Sequence, residues 1–340
     1  MKMLRSYKKP ALIILILFIG IITGLALRHF NSTWSFIKNP IVNLIKNKNR
    51  KWNNEFFLID LKSSIDNNVQ KIYCYKSNAK EKKPLIVSLH TWSGNYSQTD
   101  ELAEMCKAKN INYIHPDFRG SNKTINACCS KLALTDIDDA INHAITNFNI
   151  DTSKIYVIGV SGGGYATLST FMKSRHNIKK FSAWASITNL VAWYDETKIR
   201  NSEHSKDILN CTNSTTKLNI KNAKQKSPIF WKTPREKLKD SKLSIYAGIL
   251  DGIQGNVPIT HSINIYNKIL SDLSVKDTSK YVSDSEKLKL IEFKKPISDY
   301  GYIGNRKICL KKKYKNISLT IFDGNHEMLT EFAFNELIKD

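Results

Sequence analysis

Short apolar runs alternate with segments of helical periodicity along most of this chain. A strand of a parallel sheet is buried on both faces, so its sequence is a nearly continuous apolar run. The runs that we predict as strands are 69–75, 85–90, 111–116, 154–160, 181–187, 243–250 and 317–322. Strands separated by helical segments indicate an α/β fold with a mainly parallel central sheet flanked by helices.

The clearest helix is predicted between the third and fourth of these strands. Its apolar positions recur every three or four residues, at Leu134, Ile137, Ile141, Ile145 and Phe148. Three carboxylates in this helix resemble a metal-binding cluster: Asp136, Asp138 and Asp139. They fall in the predicted first turns, where carboxylates complement the helix dipole. We therefore interpret them as structural and predict no metal site.

Two segments interrupt the alternation. Residues 188–240 are polar and loop-rich, and so long a connection between two strands usually forms a lid or a binding element. Its large aromatic side chains would stack on a sugar ring, line an acyl pocket or close the lid's own small core; they are Trp193, Tyr194, Phe230 and Trp231. Residues 272–312 are rich in lysine, serine and aspartate and are predicted to be a surface excursion.

Residues 1–30 have a composition of their own. Basic residues precede an uncharged run, 11–27, which would span about 26 Å as a helix, near the lower limit for crossing a bilayer. A cleaved signal peptide ending at Ala26 is the alternative, and it would give a secreted protein. We favour an uncleaved anchor because the run is long and Leu27 and Arg28 follow directly. The basic N-terminus should stay in the cytoplasm, which places the rest of the chain outside it.

Residues 31–66 are predicted to link this anchor to an α/β domain at residues 67–340. Trp34, Ile37 and Ile41 recur at roughly helical spacing among lysines, which fits a helix lying in a headgroup layer, although Pro40 interrupts it. A basic linker without helical structure is the alternative, and the sequence favours neither.

The net charge of +22 does not predict a nucleic-acid partner. Lysines are scattered over the whole chain together with asparagines and isoleucines, which indicates a compositional bias. The short lysine runs lack any motif that reads RNA or DNA. Acidic glycans or anionic lipids are the more natural partners of such a surface outside the cytoplasm.

The six cysteines permit disulfides but do not assign them. Cys128 and Cys129 are adjacent, so each needs a different partner if it is bridged. The chain has no C-x-x-C pair, which argues against a zinc or redox site.

A G-x-S-x-G sequence lies where a predicted strand passes into a helix of small residues. It reads Gly159-Val160-Ser161-Gly162-Gly163. In that setting the motif forms a tight turn that presents the serine hydroxyl above the sheet edge. Ser161 is therefore the candidate nucleophile, and the N–H of Gly162 is a candidate donor to an oxyanion. The alternative is a glycine-rich turn without chemistry.

A serine nucleophile needs a base, and the base needs an acid that orients it. When the serine lies in a strand-to-helix turn of this kind, the expected order of the three residues along the chain is Ser…Asp…His. Asp251 follows the strand 243–250, and His326 follows the strand 317–322 and a short turn, so both lie at carboxyl ends of strands. Asp323 is the rival acid, but it is so close to His326 in sequence that a triad geometry would be cramped.

The remaining histidines are weaker candidates for the base. His90 belongs to the loop after the strand 85–90. The others are interpreted as packing or surface residues: His115, His143, His176, His204 and His261.

A second oxyanion donor is expected from the loop after the strand 85–90. The backbone N–H of Trp92 is the first candidate, and that of Thr91 is the second. A structural turn with Trp92 packed on the core is the alternative.

These motifs together resemble the α/β-hydrolases of the prolyl-oligopeptidase-like and acetyl-xylan-esterase-like group. The resemblance covers about residues 69–338 and is carried by the segments 89–94, 116–120, 159–163, 247–252, 257–258, 261–262 and 324–327. It implies a catalytic triad of Ser161, Asp251 and His326. Thr91 departs from the group's usual glycine, which narrows the conformations of the oxyanion loop. Asn325 replaces a second glycine, a milder change because Asn tolerates left-handed backbone.

The leading hypothesis is a membrane-anchored serine hydrolase that cleaves carboxylic esters, such as an acylated glycan, outside the cytoplasm. It needs no metal or organic cofactor. A peptidase of the prolyl-oligopeptidase-like group is the alternative. Such peptidases usually carry a large propeller domain, and the about 40 residues between the apolar run and the first predicted strand are too few for one. An inactive binding module is the third hypothesis. The sequence leaves the substrate, the type of bond cleaved and the oligomeric state open.

Overall fold

A computed structural model of the chain describes residues 52–339, and Asn54–Asp340 form one compact unit. The predicted anchor at residues 1–30 and most of the predicted linker lie outside the described residues. Among the described residues, no helix has the length and hydropathy that a membrane span requires.

The unit is built on a twisted sheet with helices between its strands. The strands are β1 Phe57–Lys62, β2 Val69–Tyr75, β3 Lys83–Leu89, β4 Asn112–Pro116, β5 Ile150–Val160, β6 Lys180–Trp184, β7 Lys242–Gly248, β8 Tyr302–Ile303, β9 Arg306–Tyr314 and β10 Ile317–Phe322. The helices are α1 Glu101–Ala108, α2 Lys131–Asn147, α3 Gly162–Lys173, α4 Leu190–Ile199, α5 His204–Cys211, α6 Ile220–Gln225, α7 Ile259–Asp272, α8 Asp284–Phe293 and α9 Thr330–Ile338.

The strand order is β1-β2-β4-β3-β5-β6-β7-β10-β9-β8. The six central strands, β4, β3, β5, β6, β7 and β10, are parallel to one another, whereas the pairs at both edges of the sheet are antiparallel. The α/β fold with a mainly parallel central sheet, which the sequence pattern predicts, is confirmed. Parallel strands place all their carboxyl ends at one edge of the sheet, where open α/β folds carry their sites.

Each predicted strand overlaps an observed one, and the observed strands that the sequence does not predict, β1, β8 and β9, lie at the antiparallel edges. The sheet begins at β1, inside the segment 31–66 that is expected to be a linker, so the domain starts earlier than residue 67. The segment 272–312 is not only a surface excursion, because it holds α8 and β9. Only the middle of β9, residues 308–310, is buried, and the three lysines that follow are exposed or partly exposed. Edge strands of this composition give no apolar run.

The predicted lid, residues 188–240, is more ordered than a polar loop. It contains α4, α5 and α6, and the buried residues of these helices face the body of the domain. Trp193 and Tyr194 are buried in the core that the lid shares with the body of the domain, so they join the lid to the domain and do not close a core of the lid's own. Phe230 is exposed and Trp231 is half-buried, with the Lys173 ammonium 5.1 Å from its ring centre.

A disulfide joins Cys128 to Cys211 and thereby ties α5 of the lid to the segment before α2. Cys129, its sequence neighbour, is a buried free thiol, and burial raises its pKa to about 12. The bridged residue of the adjacent pair is thus Cys128.

Replacement of Cys128 and Cys211 by alanine is expected to lower the free energy of unfolding by about 4 kcal/mol. The bridge restricts the unfolded chain over a separation of 83 residues. Denaturant unfolding measures the difference. A reductant should lower the stability of the wild type to that of the double variant and leave the variant unchanged. A wild-type protein insensitive to reductant would contradict this role of the bridge.

The aspartates of α2 are structural, as predicted, but the helix dipole is not the reason, since none lies in the first turn. Asp136 accepts a hydrogen bond from Arg119 at 2.5 Å and another from the Ser63 hydroxyl. Asp138 and Asp139 bind the backbone N–H groups of Arg175 and Ser64, at 3.0 and 2.7 Å. The three carboxylates therefore fasten α2 to segments that follow β1, β4 and α3.

Candidate active site

Ser161 occupies the turn between β5 and α3 in a backbone conformation that side chains rarely adopt, with φ 59° and ψ −119°. Such strain costs on the order of 1–3 kcal/mol and persists only where the surroundings fix it. Here the Ser161 N–H donates to the Trp184 carbonyl at the end of β6, at 2.9 Å, and the Ser161 carbonyl accepts from Tyr165 at 2.9 Å. The turn therefore has the geometry of a nucleophile elbow.

Asp251 and His326 form a hydrogen-bonded pair. His326 Nδ1 lies 2.8 Å from Asp251 Oδ2, and the Asp251 side chain is fully buried. The other carboxylate oxygen, Oδ1, accepts the backbone N–H groups of Gly252 and Val257 at 2.9 and 3.0 Å. Because Oδ1 is occupied in this way, Oδ2 is held toward the imidazole. The carboxylate then favours a proton on Nδ1 and leaves Nε2 as the basic nitrogen.

Gly255 covers this pair closely. A Cβ at this position would collide with both the Asp251 carboxylate and the His326 side chain. Any larger residue would displace one of the two partners, so glycine keeps the acid and the base in contact.

The sheet brings the predicted triad residues to one edge. Ser161 follows β5, Asp251 follows β7 and His326 follows β10, and these strands are neighbours or next neighbours in the parallel part of the sheet. Among residues 52–339, no hydrogen bond joins the Ser161 hydroxyl to His326. Catalytic hydrogen bonds are often long before substrate binds and shorten in the complex.

Asp323, the rival acid, does not contact His326. It is exposed, and its backbone binds Lys307 and Arg306. The structure therefore pairs the imidazole with Asp251.

The predicted oxyanion donors lie side by side. A Cβ on Gly162 would collide with the backbone nitrogen and Cα of Trp92, so only glycine permits this approach of the two loops. Within the part of the chain that the structure describes, neither the Trp92 N–H nor the Gly162 N–H donates to a protein acceptor. Two unpaired N–H groups next to a serine nucleophile are the arrangement that stabilises an oxyanion.

Thr91, the second candidate donor, is occupied. Its N–H and its hydroxyl both donate to Gln98 Oε1, at 3.1 and 2.7 Å. Sequence reasoning missed Gln98, which compensates for the absent glycine by fixing the loop through a side chain.

The buried ring of His90 contacts the same loop. Its ring stacks on Phe118 at a centroid distance of 3.8 Å, and its nitrogens lie 2.9 and 2.7 Å from the carbonyl oxygens of Thr91 and Asp117. Burial lowers the pKa of His90, and it lowers that of His115 to about 3. These buried imidazoles stay neutral at physiological pH and are out of reach of a substrate.

The lid contacts the loop that follows β7 and carries Asp251 through Trp193, which the sequence identifies only as a lid aromatic, and through Arg200, which the sequence does not identify. Trp193 Nε1 donates to the Asn256 carbonyl at 2.9 Å. Arg200 donates to the carbonyls of Gly252 and Asn256 at 2.8 and 3.1 Å. The lid thus helps to hold the turn that carries Asp251.

Among residues 52–339, no group of three or more His, Cys, Asp or Glu side chains is placed to hold a metal ion.

Comparisons with known proteins agree with this architecture. The family model described as the prolyl oligopeptidase family matches residues 97–279, which include Ser161 and Asp251. No curated protein sequence matches the chain.

Solved structures share the fold at low sequence identity. Acylaminoacyl peptidase from Pyrococcus horikoshii is 17% identical, with a TM-score of 0.55 over 87% of this chain and 41% of that one. A puromycin-hydrolysing peptidase from Mycobacterium tuberculosis is 12% identical, with a TM-score of 0.54 over 84% and 39%. Prolyl oligopeptidase B from Galerina marginata is 12% identical, with a TM-score of 0.52 over 64% and 31%.

The chain spans less than half the length of each of these proteins. Their likeness establishes the fold, and the family match covers more than half of the residues, including the strained serine turn and the buried acid. This chain belongs to the prolyl oligopeptidase family of α/β-hydrolases.

Proposed function

We propose that this protein is a serine peptidase that hydrolyses an amide bond through an acyl-enzyme intermediate. The observation that carries the proposal is the contact between the buried Asp251 and His326, 2.8 Å apart, at the sheet edge where Ser161 occupies its strained turn. An acid, a base and a nucleophile in these positions are the parts that acyl transfer requires.

The reaction begins with attack of the Ser161 oxygen on the substrate's carbonyl carbon, while His326 Nε2 takes the hydroxyl proton. The negative charge on the carbonyl oxygen is stabilised by the N–H groups of Gly162 and Trp92. His326 then donates its proton to the leaving amine, and the carbon–nitrogen bond breaks. Water, deprotonated by the same imidazole, attacks the acyl-enzyme and releases the acid and Ser161.

Family membership favours an amide over an ester substrate. The sequence alone favours an ester hydrolase acting on a substrate such as an acylated glycan, with the peptidase as alternative. The family that matches is named for oligopeptidases, and all three structural neighbours named above are peptidases. This support reverses the order of the two hypotheses.

The proposal is tested with matched substrates that share one acyl group and differ only in the leaving group. Purified full-length protein should hydrolyse an acylated aminoacyl anilide, or a proline-containing peptide, at a rate that Ser161→Ala abolishes. Aryl esters of the same acyl group should also react, because their acyl-enzyme is the same. Turnover of the esters or of acetylated glycans, with none of any amide, would restore the ester-hydrolase interpretation.

We also propose that the domain works outside the cytoplasm, anchored by residues 11–27. The apolar run supports the anchor, and the Cys128–Cys211 disulfide supports an oxidising compartment. Full-length protein should stay with membranes after a high-salt wash, and its domain should be accessible to a label added from outside. A soluble chain that begins near Leu27 would instead show a cleaved signal.

A further inference from the structure

Trp92 has two roles that use different parts of the residue. Its backbone N–H faces Gly162, whereas its buried indole reaches into the lid. Indole Nε1 donates to Asp207 Oδ2 on α5 at 3.1 Å, and the ring packs edge-on against Trp193 at a centroid distance of 4.7 Å. The side chain of an oxyanion residue is thus fastened by a residue 115 positions away in sequence.

Asp207 is set up to be a fixed acceptor. Its side chain is only 13% exposed, and the His204 imidazole lies 3.5 Å from the same oxygen. Burial alone would raise the pKa of Asp207, but the hydrogen bonds from His204 and Trp92, together with the charge of Lys123, lower it. The carboxylate therefore stays ionised at neutral pH and accepts from the indole strongly.

The carbonyl of Trp92 is held as well, and the two attachments are linked. The Asn122 N–H donates to the Trp92 carbonyl at 2.8 Å, and the Asn122 side chain accepts the Cys128 N–H at 2.9 Å. Cys128 is bridged to Cys211, which lies one turn after Asp207 on α5. The hydrogen bonds of Asn122, the disulfide and the last turn of α5 thus connect the backbone carbonyl of Trp92 to Asp207, which binds the indole of the same residue.

We propose that Asp207 is a positioning residue of the oxyanion hole. By binding the indole, Asp207 fixes the orientation of Trp92, including the Thr91–Trp92 peptide that carries the N–H. The N–H is thereby aimed at the negative charge that develops on the substrate's carbonyl oxygen. This role rests on the proposed function, since it needs acyl transfer at Ser161. A hydrogen bond that matters for oxyanion stabilisation should affect turnover, whereas one that only holds the lid in place should affect stability or substrate binding.

The test compares Asp207→Leu, which removes the acceptor at similar size, with Asp207→Asn, which keeps an acceptor oxygen. Loss of a whole oxyanion donor costs about 10²–10³ in kcat, so misalignment by Asp207→Leu should cost about tenfold or more. KM should change less than about twofold, and Asp207→Asn should recover most of the loss. The matched control is Lys206→Leu, on the same helix, whose exposed side chain pairs with Glu203 and, among residues 52–339, with no other acidic residue. It should match the wild type.

Trp92→Phe provides the same test from the other partner, because it removes the indole N–H and keeps the backbone donor. In a double-mutant cycle, Asp207→Leu should add little to Trp92→Phe. If Asp207→Leu does not fold, Trp92→Phe alone must show the loss in kcat at constant KM.

The outcomes separate the two proposals. If wild type and Ser161→Ala are equally inactive, the proposed function and this inference both fail. If activity depends on Ser161 but Asp207→Leu and Trp92→Phe turn over like Lys206→Leu, only the inference fails. It also fails if Asp207→Leu lowers only the melting temperature or raises only KM.

Discussion

Replacement of Ser161 by alanine is expected to lower kcat for amide hydrolysis by about 10⁶-fold, the size of effect seen when a serine nucleophile is removed from a triad. The residue is the only one at the elbow that can form the acyl-enzyme. Alanine has no oxygen to attack the carbonyl, so only the weak contribution of the oxyanion donors to direct attack by water remains.

The fold should survive this change. The Ser161 backbone bonds, to Trp184 and Tyr165, do not involve the hydroxyl. Circular dichroism and the melting temperature should therefore match the wild type, with a small shift allowed for the strained φ of 59°. A variant that keeps more than a small fraction of its turnover would place the nucleophile elsewhere.

Replacement of Asp251 by asparagine is expected to lower kcat by about 10⁴-fold, as in triads where the imidazole receives the wrong partner. The surroundings of the carboxylate predict the mechanism. The N–H groups of Gly252 and Val257 require an oxygen at the Oδ1 position, so the amide nitrogen of asparagine must face His326. An N–H donor there favours the tautomer with the proton on Nε2, which cannot accept the proton of Ser161.

Asp323→Asn is the matched control for this change. Asp323 is a similar carboxylate near His326 in sequence, but it is exposed and its side chain does not contact the imidazole. Asp323→Asn should lower kcat by no more than a few-fold. Steady-state kinetics of both variants decide which aspartate is the acid, and a larger loss of kcat in Asp323→Asn than in Asp251→Asn would contradict the assignment of Asp251.

The sequence alone predicts the parallel part of the sheet well because strands that are buried on both faces consist of nearly continuous apolar runs. β10 has the predicted bounds, and β5 leads into the serine turn where the pattern places it. Asp251 and His326 could be found for the same reason. Residues that follow parallel strands must meet at one edge, so a local pattern predicts a contact over 75 residues.

Other features depend on contacts that no local pattern encodes. β9 lies near an edge of the sheet, where only the two-residue strand β8 follows it, and its lysines interrupt the apolar pattern. The lid helices are short and polar, and they are stabilised by burying residues such as Trp193 against the domain. The choice of Cys128 over Cys129 as the partner of Cys211 depends on the tertiary position of α5.

The supporting residues of the oxyanion loop were missed for a further reason. Gln98 and Asp207 are ordinary polar residues in sequence, and their roles appear only when their partners are known. Gln98 has one weak signal, because a threonine in place of glycine at position 91 requires some compensation nearby. Asp207 has none.

Mapping of a covalent adduct is the most direct test of Ser161 as the nucleophile. The full-length protein is treated with a fluorophosphonate, digested, and its modified peptide is identified by mass spectrometry. The proposed triad predicts one adduct, on Ser161, with a strongly reduced rate of formation in Asp251→Asn and His326→Ala. An adduct on another residue, or an unmodified Ser161 in protein that hydrolyses peptides, would contradict it.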